Sequence, residues 1–446
     1  MAARLTAYLV SVIVAGTLIA GLLVGAQNDG EGPVDLIIYN GKVYTGAGQP
    51  MAEAVAVRGN RILRVGTDWE IRRLRRRETR FVDAHGGTVL PGFNEAHARV
   101  VEAGLSRDED TRTLVEPVEP QHTRGERLQA IRSVLARAHR LGITSIQDIS
   151  AGAEDLELYE QLRAADELGV RVYALLAVRT DLTEEDAARL DAVRKQYLDD
   201  PLLKTGGVRV TVGDVLDQRG PQAGSRPGVE SGPQKLLRQA DTSAPLRPTQ
   251  AELNHVVALM DERGWQVMVQ APTADVADMG LEAFLHALEV NRGGERHIRR
   301  HRIELDVPLD NVDWLRFQSL GILADLASPV ARSFASLEGG DEILLGSRWL
   351  GDPGDPLSAI FTAAGAGPDG QRLAAAIDAY TRAPAYASFE DSRKGVIAPE
   401  MLADLVVLST DIFSLPPDRL ADSVVQTTIF DGRVVYSRAE DDTQTE

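Results

Sequence analysis

The chain has 446 residues, enough for two or three domains of ordinary size or for one large α/β barrel with an appended unit. It carries 66 acidic and 48 basic residues, and the resulting formal net charge of −18 argues against general nucleic-acid binding. Cysteine is absent, which excludes disulfides, thiolate metal sites, a cysteine nucleophile and a lipid anchor on cysteine.

The amino-terminal segment from Ala7 to Ala26 contains no charged residue. As a helix it would span about 30 Å, the thickness of the hydrocarbon core of a bilayer. Arg4 precedes it and Asp29 and Glu31 follow it, so the positive-inside rule places the body outside the cytoplasm. We predict a retained single-pass membrane anchor. The alternative is a signal peptide cleaved near Ala26, which would leave a secreted protein.

The next segment is rich in β-forming residues. Leu36 to Thr45 predicts a hairpin with Asn40-Gly41 at its turn, and AVAVRGNRILRVG predicts a second hairpin that turns at Gly59-Asn60. Trp69 to Arg77 is an arginine-rich helical stretch. In so acidic a chain, a solvated helix face is a better interpretation of this stretch than a nucleic-acid patch.

Strand-like runs then alternate with amphipathic helical segments. The predicted strands are Thr88–Phe93, Thr144–Ile149, Arg171–Val178, Val208–Val212, Gln266–Gln270, Arg302–Asp306, Ile322–Ala327 and Glu342–Gly346. The predicted helices are Arg124–Leu141, Leu156–Leu168, Glu184–Leu198, Thr249–Arg263 and Ala274–Val290. This α/β alternation predicts a parallel sheet, and eight strands indicate a closed (β/α)8 barrel of the TIM type. A doubly wound open sheet is the alternative, but no G-x-G-x-x-G follows the early strands to support a dinucleotide site.

The predicted barrel is flanked by β-rich chain ends. Leu402 to Leu408 and Val424 to Ser437 contain another turn at Asp431-Gly432, and both ends together predict one small composite β-sandwich. A long irregular segment, Gly213 to Arg247, would lie over the carboxyl-terminal face, where active sites of such barrels sit. The predicted division is residues 1–32 for the anchor and linker, 33–87 and 395–446 for the sandwich, and 88–394 for the barrel.

Several motifs occur in the order and at the strands expected of one known family. VDAHGGTVLPGFNEAHARVVEAGL, residues 82–105, resembles the opening strand of the amidohydrolase superfamily, in the family 3 branch. There the strand reads V-L-P-G-F-x-D-x-H-x-H, and its two histidines bind metal. Further similar stretches are LGITSIQDIS (141–150), AGSRPG (223–228), RHRIEL (300–305), LLGSRW (344–349) and AYTRAPAYASFEDSRKGVIAPEMLADLVVLSTDIF (379–413). The resemblance covers residues 34–437. It implies the barrel and sandwich, and hydrolysis of carbon–nitrogen bonds with a divalent metal such as zinc.

At the positions where the resembled family binds metal, this chain departs from the pattern. His97 remains, but four ligand positions are vacated, at Arg99, Gln270, Leu305 and Arg348. The last of these replaces the aspartate that serves the family as ligand and general base. A catalytic zinc site needs about three protein ligands and an open position for water. We therefore expect no metal, with His97 as its sole surviving candidate ligand, and a catalytically inactive pseudo-hydrolase that acts as a binding or scaffold protein.

Three arginines would point at the place of the lost cation: Arg99, Arg209 and Arg348. One interpretation is an internal ion-pair network with carboxylates, for which the candidates are Glu95, Asp148, Asp214 and Glu304. The other is an anion-binding pocket that grips a small carboxylate or phosphate ligand. An active hydrolase with a rearranged site around His97, Glu95, Asp148 and Glu304 is the functional alternative, with His97 and Glu304 as its weak catalytic candidates. A further alternative is an inactive subunit that stabilises an active partner in an oligomer.

Overall fold

The computed structural model describes residues 33–46, 48–105, 122–212, 248–291, 299–308, 311–326, 343–347, 355–365 and 370–444. The predicted anchor, the segment Gly213 to Arg247 with Asp214, and Arg348 lie outside these ranges. Within the described part, no helix has the length and apolar character needed to cross a bilayer.

The described strands are, in chain order, β1 Leu36–Tyr39, β2 Lys42–Val43, β3 Ala54–Arg58, β4 Arg61–Gly66, β5 Arg80–Asp83, β6 Thr88–Pro91, β7 Phe93–Ala98, β8 Ile143–Ala151, β9 Arg171–Val178, β10 Leu203–Val210, β11 Gln266–Ala271, β12 Arg302–Leu305, β13 Leu323–Leu326, β14 Ile343–Leu345, β15 Leu405–Leu408, β16 Val425–Phe430 and β17 Arg433–Ser437. The described α-helices are α1 Asp68–Arg72, α2 Val100–Leu105, α3 Arg124–Arg140, α4 Ala153–Ala164, α5 Glu184–Tyr197, α6 Gln250–Glu262, α7 Ala274–Val290, α8 Trp314–Leu320, α9 Pro356–Ala364, α10 Gly370–Tyr380, α11 Arg382–Ala387 and α12 Arg438–Gln444.

Strands β7 to β14 form one 8-stranded parallel sheet in sequence order. A described α-helix lies between each pair of consecutive strands from β7 to β13, as the alternation in the sequence predicted, and the connection from β13 to β14 lies outside the described residues. The two end strands approach each other closely, because a Cβ added to Gly346 after β14 would lie 2.6 Å from the Cβ of His97 on β7. The sheet therefore curls into a nearly closed barrel, and the predicted TIM-type α/β fold is confirmed.

The predicted first barrel strand, Thr88–Phe93, is wrong in its position. β6 belongs to a different sheet, where it pairs antiparallel with β15 and parallel with β2. The barrel begins at Phe93, whose N–H donates to the carbonyl of Gly142 at 3.0 Å. Gly92 makes this transition sterically possible, since a Cβ there would lie 2.2 Å from Oγ1 of Thr144.

The predicted hairpin at Asn40-Gly41 is also wrong. β1 pairs with β3 and β5, whereas β2 pairs with β6 in the other sheet. Asn40, with φ of 55°, turns the chain from one sheet to the other instead of folding it back on itself. The hairpins at Gly59-Asn60 and Asp431-Gly432 are confirmed, by the antiparallel pairs β3–β4 and β16–β17.

The two smaller sheets form the composite sandwich. One has the strand order β4-β3-β1-β5, and the other has the order β17-β16-β15-β6-β2, so the second sheet combines strands from both ends of the chain. Their shared core is made of alternate apolar residues that face the opposite sheet, including Leu36, Ile38, Val55, Val57, Val89, Leu405, Val407 and Ile429.

The amino-terminal end of the barrel is closed by the segment that follows α10. Lys394 donates to Oγ of Ser145 at 2.9 Å, and Gln147 donates to the carbonyl of Pro384 at 2.8 Å. Arg302, fully buried inside the barrel, forms an ion pair with Asp325 and donates to Gln147. These contacts fill the lower barrel, so side chains that bind a ligand must lie at the carboxyl-terminal mouth.

Candidate functional site

The site lies at the carboxyl-terminal ends of four barrel strands. β7 supplies Glu95 and His97, β10 supplies Arg209, β12 supplies Glu304, and Ser347 lies two residues after the end of β14. All five residues are buried. Because alternate residues of a strand face opposite sides of the sheet, Glu95 and His97 project together into the barrel, as the sequence spacing requires.

The centre of the site is an ion pair between Arg209 and Glu304. Nε and Nη2 of Arg209 donate to the two oxygens of Glu304 at 2.6 and 3.2 Å, in a bidentate arrangement. Nε2 of His97 lies 3.4 Å from Oε1 of Glu304. Burial by itself would raise the pKa of Glu304, but the neighbouring charge of Arg209, with His97, lowers it to about 2. Glu304 is therefore a carboxylate at neutral pH that accepts hydrogen bonds and has no proton to donate.

Glu95 joins the first and last strands of the barrel. Its carboxylate accepts from Oγ of Ser347 at 2.6 Å, from the backbone N–H of Ser347 at 3.1 Å and from the hydroxyl of Tyr380 on α10. The backbone N–H of His97 also donates to it, at 2.9 Å. Burial raises the pKa of Glu95, although these donors oppose that effect. Side-chain bonds thus hold β7 to β14, which share no backbone ladder among the described residues.

The other predicted site residues are placed as follows. Arg99 follows β7 and is partly buried, and its charge contributes to the lowered pKa of Glu304. Gln270 on β11 is buried, and its Oε1 has no hydrogen-bond partner among the described residues. Leu305 belongs to the hydrophobic core that the barrel strands share with the helices, so Glu304 is the residue of β12 that reaches the site. Arg348 and Asp214 fall outside the described residues.

Asp148 lies on the helix side of β8. The hydroxyl of Tyr159 on α4 donates to it at 2.6 Å, and Ser150 donates to it through both N–H and Oγ at 3.1 Å. Burial raises the pKa of Asp148 to about 7. Of the four residues proposed for a rearranged site, Glu95, His97 and Glu304 thus lie close together at the barrel mouth. Asp148 lies on the other side of the sheet, where it is hydrogen-bonded to the helix layer through Tyr159.

Comparison with known proteins identifies the family to which this chain belongs. A family model described as "Amidohydrolase family" matches residues 102–436, about three quarters of the chain. This chain belongs to the amidohydrolase family. Similar solved structures include an adenosine deaminase from Xanthomonas campestris with bound zinc, which is 18% identical with a TM-score of 0.62 over 92% of this chain and 94% of that one.

Two further matches agree with that assignment. An uncharacterized metal-dependent hydrolase from Pyrococcus furiosus is 16% identical, with a TM-score of 0.61 over 85% of this chain and all of that one. These structural likenesses show the shared fold. Among curated proteins, an N-substituted formamide deformylase of Arthrobacter pascens is 40% identical over 75 residues, which are 17% of this chain and 14% of the deformylase. The chain thus matches a small part of that relative.

The described residues do not fit the metal that the family implies. They offer one imidazole, His97, and two carboxylates. Both oxygens of Glu304 are bound by Arg209, and the oxygens of Glu95 accept from Ser347, Tyr380 and the N–H of His97. The guanidinium of Arg209 is permanently cationic and would repel a divalent ion placed beside Glu304. In the part of the chain that the structure describes, no group of three or more His, Asp or Glu side chains is arranged to hold a metal. What these residues provide is a buried ion pair beside an imidazole.

The sequence did not reveal the roles of Ser347 and Tyr380. Ser347 stands in LLGSRW and Tyr380 in AYTRAPAY, both of which carry the family resemblance, but neither residue is a ligand position. Their shared partner, Glu95, precedes His97 by two residues. A buried carboxylate requires several hydrogen-bond donors. The presence of Glu95 next to the end of a strand that the sequence predicts to be buried was therefore the available signal that polar partners from distant parts of the chain reach this site.

Proposed function

We propose that this member of the amidohydrolase family is a membrane-anchored, non-hydrolytic binding or scaffold protein. The observation that carries the proposal is the bidentate pair between Arg209 and Glu304 at the barrel mouth. It puts a protein cation beside a buried carboxylate at the barrel mouth, the end of the barrel where active sites of this fold lie. Breaking such a buried pair leaves an uncompensated charge, so exchange of the guanidinium for a metal is costly.

The ligand that we propose is a small anion, a carboxylate or a phosphate. Arg209 is already neutralised by Glu304, but Arg99 makes no ion pair with a described residue. Arg99 directly follows the strand that carries His97, so its guanidinium can take part in binding at the mouth. A planar guanidinium binds carboxylate and phosphate oxygens in bidentate fashion.

The anchor in this proposal is the segment from Ala7 to Ala26. Its support is the uncharged run in the sequence, long enough for a bilayer, with Arg4 before it and acidic residues after it. We propose that the barrel and sandwich lie outside the cytoplasm. Edman sequencing of the purified protein from its native membrane separates a retained anchor from signal cleavage near Ala26.

Metal content tests the non-hydrolytic proposal. The full-length protein is purified in mild detergent, dialysed without chelator, and assayed for zinc, manganese, iron and nickel by elemental mass spectrometry. We expect a metal content far below one per chain, unchanged by His97→Ala and by added zinc. Near-stoichiometric metal that His97→Ala abolishes overturns the proposal. An Arg189→Ala variant, altered on an exposed face of α5, controls for adventitious binding.

A second candidate is a hydrolase with a rearranged site, favoured by the 3.4 Å contact of His97 with Glu304. A carboxylate that orients an imidazole is a common arrangement for a general base. N-substituted formamides are the first substrates to assay, since the curated relative is named for them. Turnover that persists in chelator and is lost in both His97→Ala and Glu304→Gln establishes this candidate. Activity equal to that of the double variant His97→Ala/Glu304→Gln excludes it.

A further inference from the structure

The segment from residue 61 to residue 80 is strongly basic in an otherwise acidic protein. It contains three acidic residues, Asp68, Glu70 and Glu78, and eight arginines: Arg61, Arg64, Arg72, Arg73, Arg75, Arg76, Arg77 and Arg80. All of these arginines except Arg61 are exposed. None of the exposed ones forms an ion pair with a described residue. The concentration of positive charge on one part of a chain of net charge −18 indicates a surface for an anionic partner.

Aromatic rings accompany these arginines. We define the arginine–aromatic patch as Tyr39, Trp69, Arg72, Arg73 and Phe81. The guanidinium of Arg73 lies 4.5 Å from the ring centre of Trp69, and that of Arg72 lies 4.7 Å from the ring centre of Tyr39. Tyr39 and Phe81 meet edge to face, with ring centres 5.9 Å apart. Trp69 and Phe81 are 69% and 44% exposed, so water covers these apolar rings beside guanidinium groups that form no ion pair with a described residue.

The basic segment that carries the patch is hydrogen-bonded to the first residues of the chain that the structure describes. Oγ1 of Thr79 donates to the carbonyl of Val34 at 2.6 Å, and the N–H of Arg80 donates to the carbonyl of Asp35 at 2.9 Å. Residues 27–33 separate Ala26, the end of the uncharged segment, from Val34. Fully extended, this connection reaches at most about 25 Å. The basic segment is therefore tied to the first residues that follow the proposed anchor.

We propose that the arginine–aromatic patch docks on the anionic phospholipid headgroups of the membrane that holds the protein. Guanidinium groups bind lipid phosphates in bidentate fashion, and tryptophan prefers the interface between headgroups and acyl chains. The strongly negative remainder of the protein is repelled by the same surface, so the contact fixes one orientation with the sandwich toward the bilayer. This inference rests on the anchor in the proposed function, because the anchor brings the patch within reach of lipid.

Fluorescence quenching tests the docking. The full-length protein is reconstituted in vesicles of phosphatidylcholine, with or without phosphatidylglycerol, that contain lipid brominated close to the headgroup. We expect the bromine to quench the tryptophan fluorescence of the wild-type protein in the anionic vesicles. This quenching should be absent from Trp69→Phe and should be lost in concentrated salt. Three charge reversals on the segment should abolish it: Arg72→Glu, Arg73→Glu and Arg76→Glu. A matched triple variant with exposed arginines changed on the barrel helices should retain it: Arg132→Glu, Arg137→Glu and Arg189→Glu.

Two readouts separate the failure of the patch from the failure of the anchor. Flotation of the protein with vesicles of both compositions in alkaline carbonate reports the anchor, and quenching of Trp69 reports the patch. Flotation with equal quenching in neutral and anionic vesicles, or with none, overturns the docking proposal and leaves the anchor intact. Loss of flotation with retained, salt-sensitive quenching in anionic vesicles overturns the anchor and supports the patch. Near-UV circular dichroism establishes that each variant is folded.

Discussion

Replacement of Arg209 by alanine should destabilise the protein by about 3 to 5 kcal/mol at neutral pH, the usual effect of removing one partner of a buried ion pair. The structure gives an independent magnitude. Arg209 and His97 lower the pKa of Glu304 from 4.5 to about 2, against the effect of burial. At about 1.4 kcal/mol for each pKa unit, this shift corresponds to about 3 kcal/mol of folding free energy at pH 7. Loss of Arg209 removes most of it.

The pH dependence has a definite sign. Because the pKa of Glu304 is lower in the folded state, its stabilising contribution is complete above the unfolded pKa of 4.5 and disappears as the pH falls toward about 2. Urea denaturation of the full-length protein in mild detergent, followed by far-UV circular dichroism at several pH values, measures it. The free-energy difference between wild type and Arg209→Ala should shrink in acid.

A compensated double variant sharpens this experiment. Arg209→Met with Glu304→Leu removes both charges and should recover most of the stability lost by Arg209→Ala, since replacing a buried pair by apolar residues is often neutral. Arg189→Ala, on an exposed part of α5, should change the stability by less than about 0.5 kcal/mol. The reasoning is refuted if Arg209→Ala costs less than about 1 kcal/mol at neutral pH, or if its cost is the same at all pH values.

Three further substitutions test other parts of the structure by the same urea denaturation. Ser347→Ala should cost about 2 kcal/mol, because the fully buried Glu95 loses a hydrogen bond of 2.6 Å; no loss would contradict the role of the serine. Burial raises the pKa of Asp148 to about 7 from an ordinary 3.8, so wild-type stability should fall as the pH rises through that interval. Between these two pH values, the free energy of unfolding of Asp148→Asn should rise by on the order of 4 kcal/mol relative to that of the wild type. Parallel profiles of unfolding free energy against pH would exclude this. Gly432→Ala should cost more than about 2 kcal/mol, since the residue has φ of 77° and its Cβ would lie 1.9 Å from the carbonyl oxygen of Gly59; a wild-type free energy of unfolding would be incompatible with this geometry.

The barrel could be predicted from the sequence because its signals are local. Each parallel strand is a short apolar run, and each crossover helix has its own amphipathic period and its own cap. For example, Thr123 and Glu126 form a capping box at the start of α3, close to the predicted start at Arg124. The error at Thr88–Phe93 has a physical cause. One continuous apolar run passes from the sandwich sheet to the barrel sheet at Gly92, and apolar character alone does not indicate which strand each part of the run will pair with.

The hairpin error at Asn40 has a related cause. An Asn-Gly pair favours positive φ, which the structure shows for Asn40, so the local conformation was predictable. The pairing partners are decided by segments distant in sequence. β2 is bound to β6, and β1 is bound to β5, which lies about 45 residues further along the chain. Local turn chemistry predicts the bend, but the choice of a partner depends on the assembly of the whole sandwich.

In the candidate site too, features that depend on single residues could be predicted, and contacts between residues distant in sequence could not. The absence of metal-ligand residue types was visible from the sequence at Arg99 and Gln270, because it depends only on residue identity. The pair of Arg209 with Glu304 was one of several open pairings, since these residues are 95 positions apart. The bond of Glu95 to Ser347 spans 252 positions and was not foreseen. Such contacts depend on which inward position of each strand reaches the same height in the barrel.

Desolvation explains why both carboxylates of the site are surrounded by hydrogen-bond donors or a cation. Glu95 and Glu304 are fully buried, and burial raises the pKa of each toward the neutral form. A divalent ion is one means of stabilising buried carboxylates, and a guanidinium is another. Arg209 gives Glu304 that positive charge, whereas Glu95 has neutral donors from Ser347 and Tyr380. Since Arg209 occupies both oxygens of Glu304, it excludes bidentate coordination of a metal by that carboxylate. Coordination of a metal by both oxygens of Glu304 would therefore require the arginine to move away, at the energetic cost that the Arg209 variants measure.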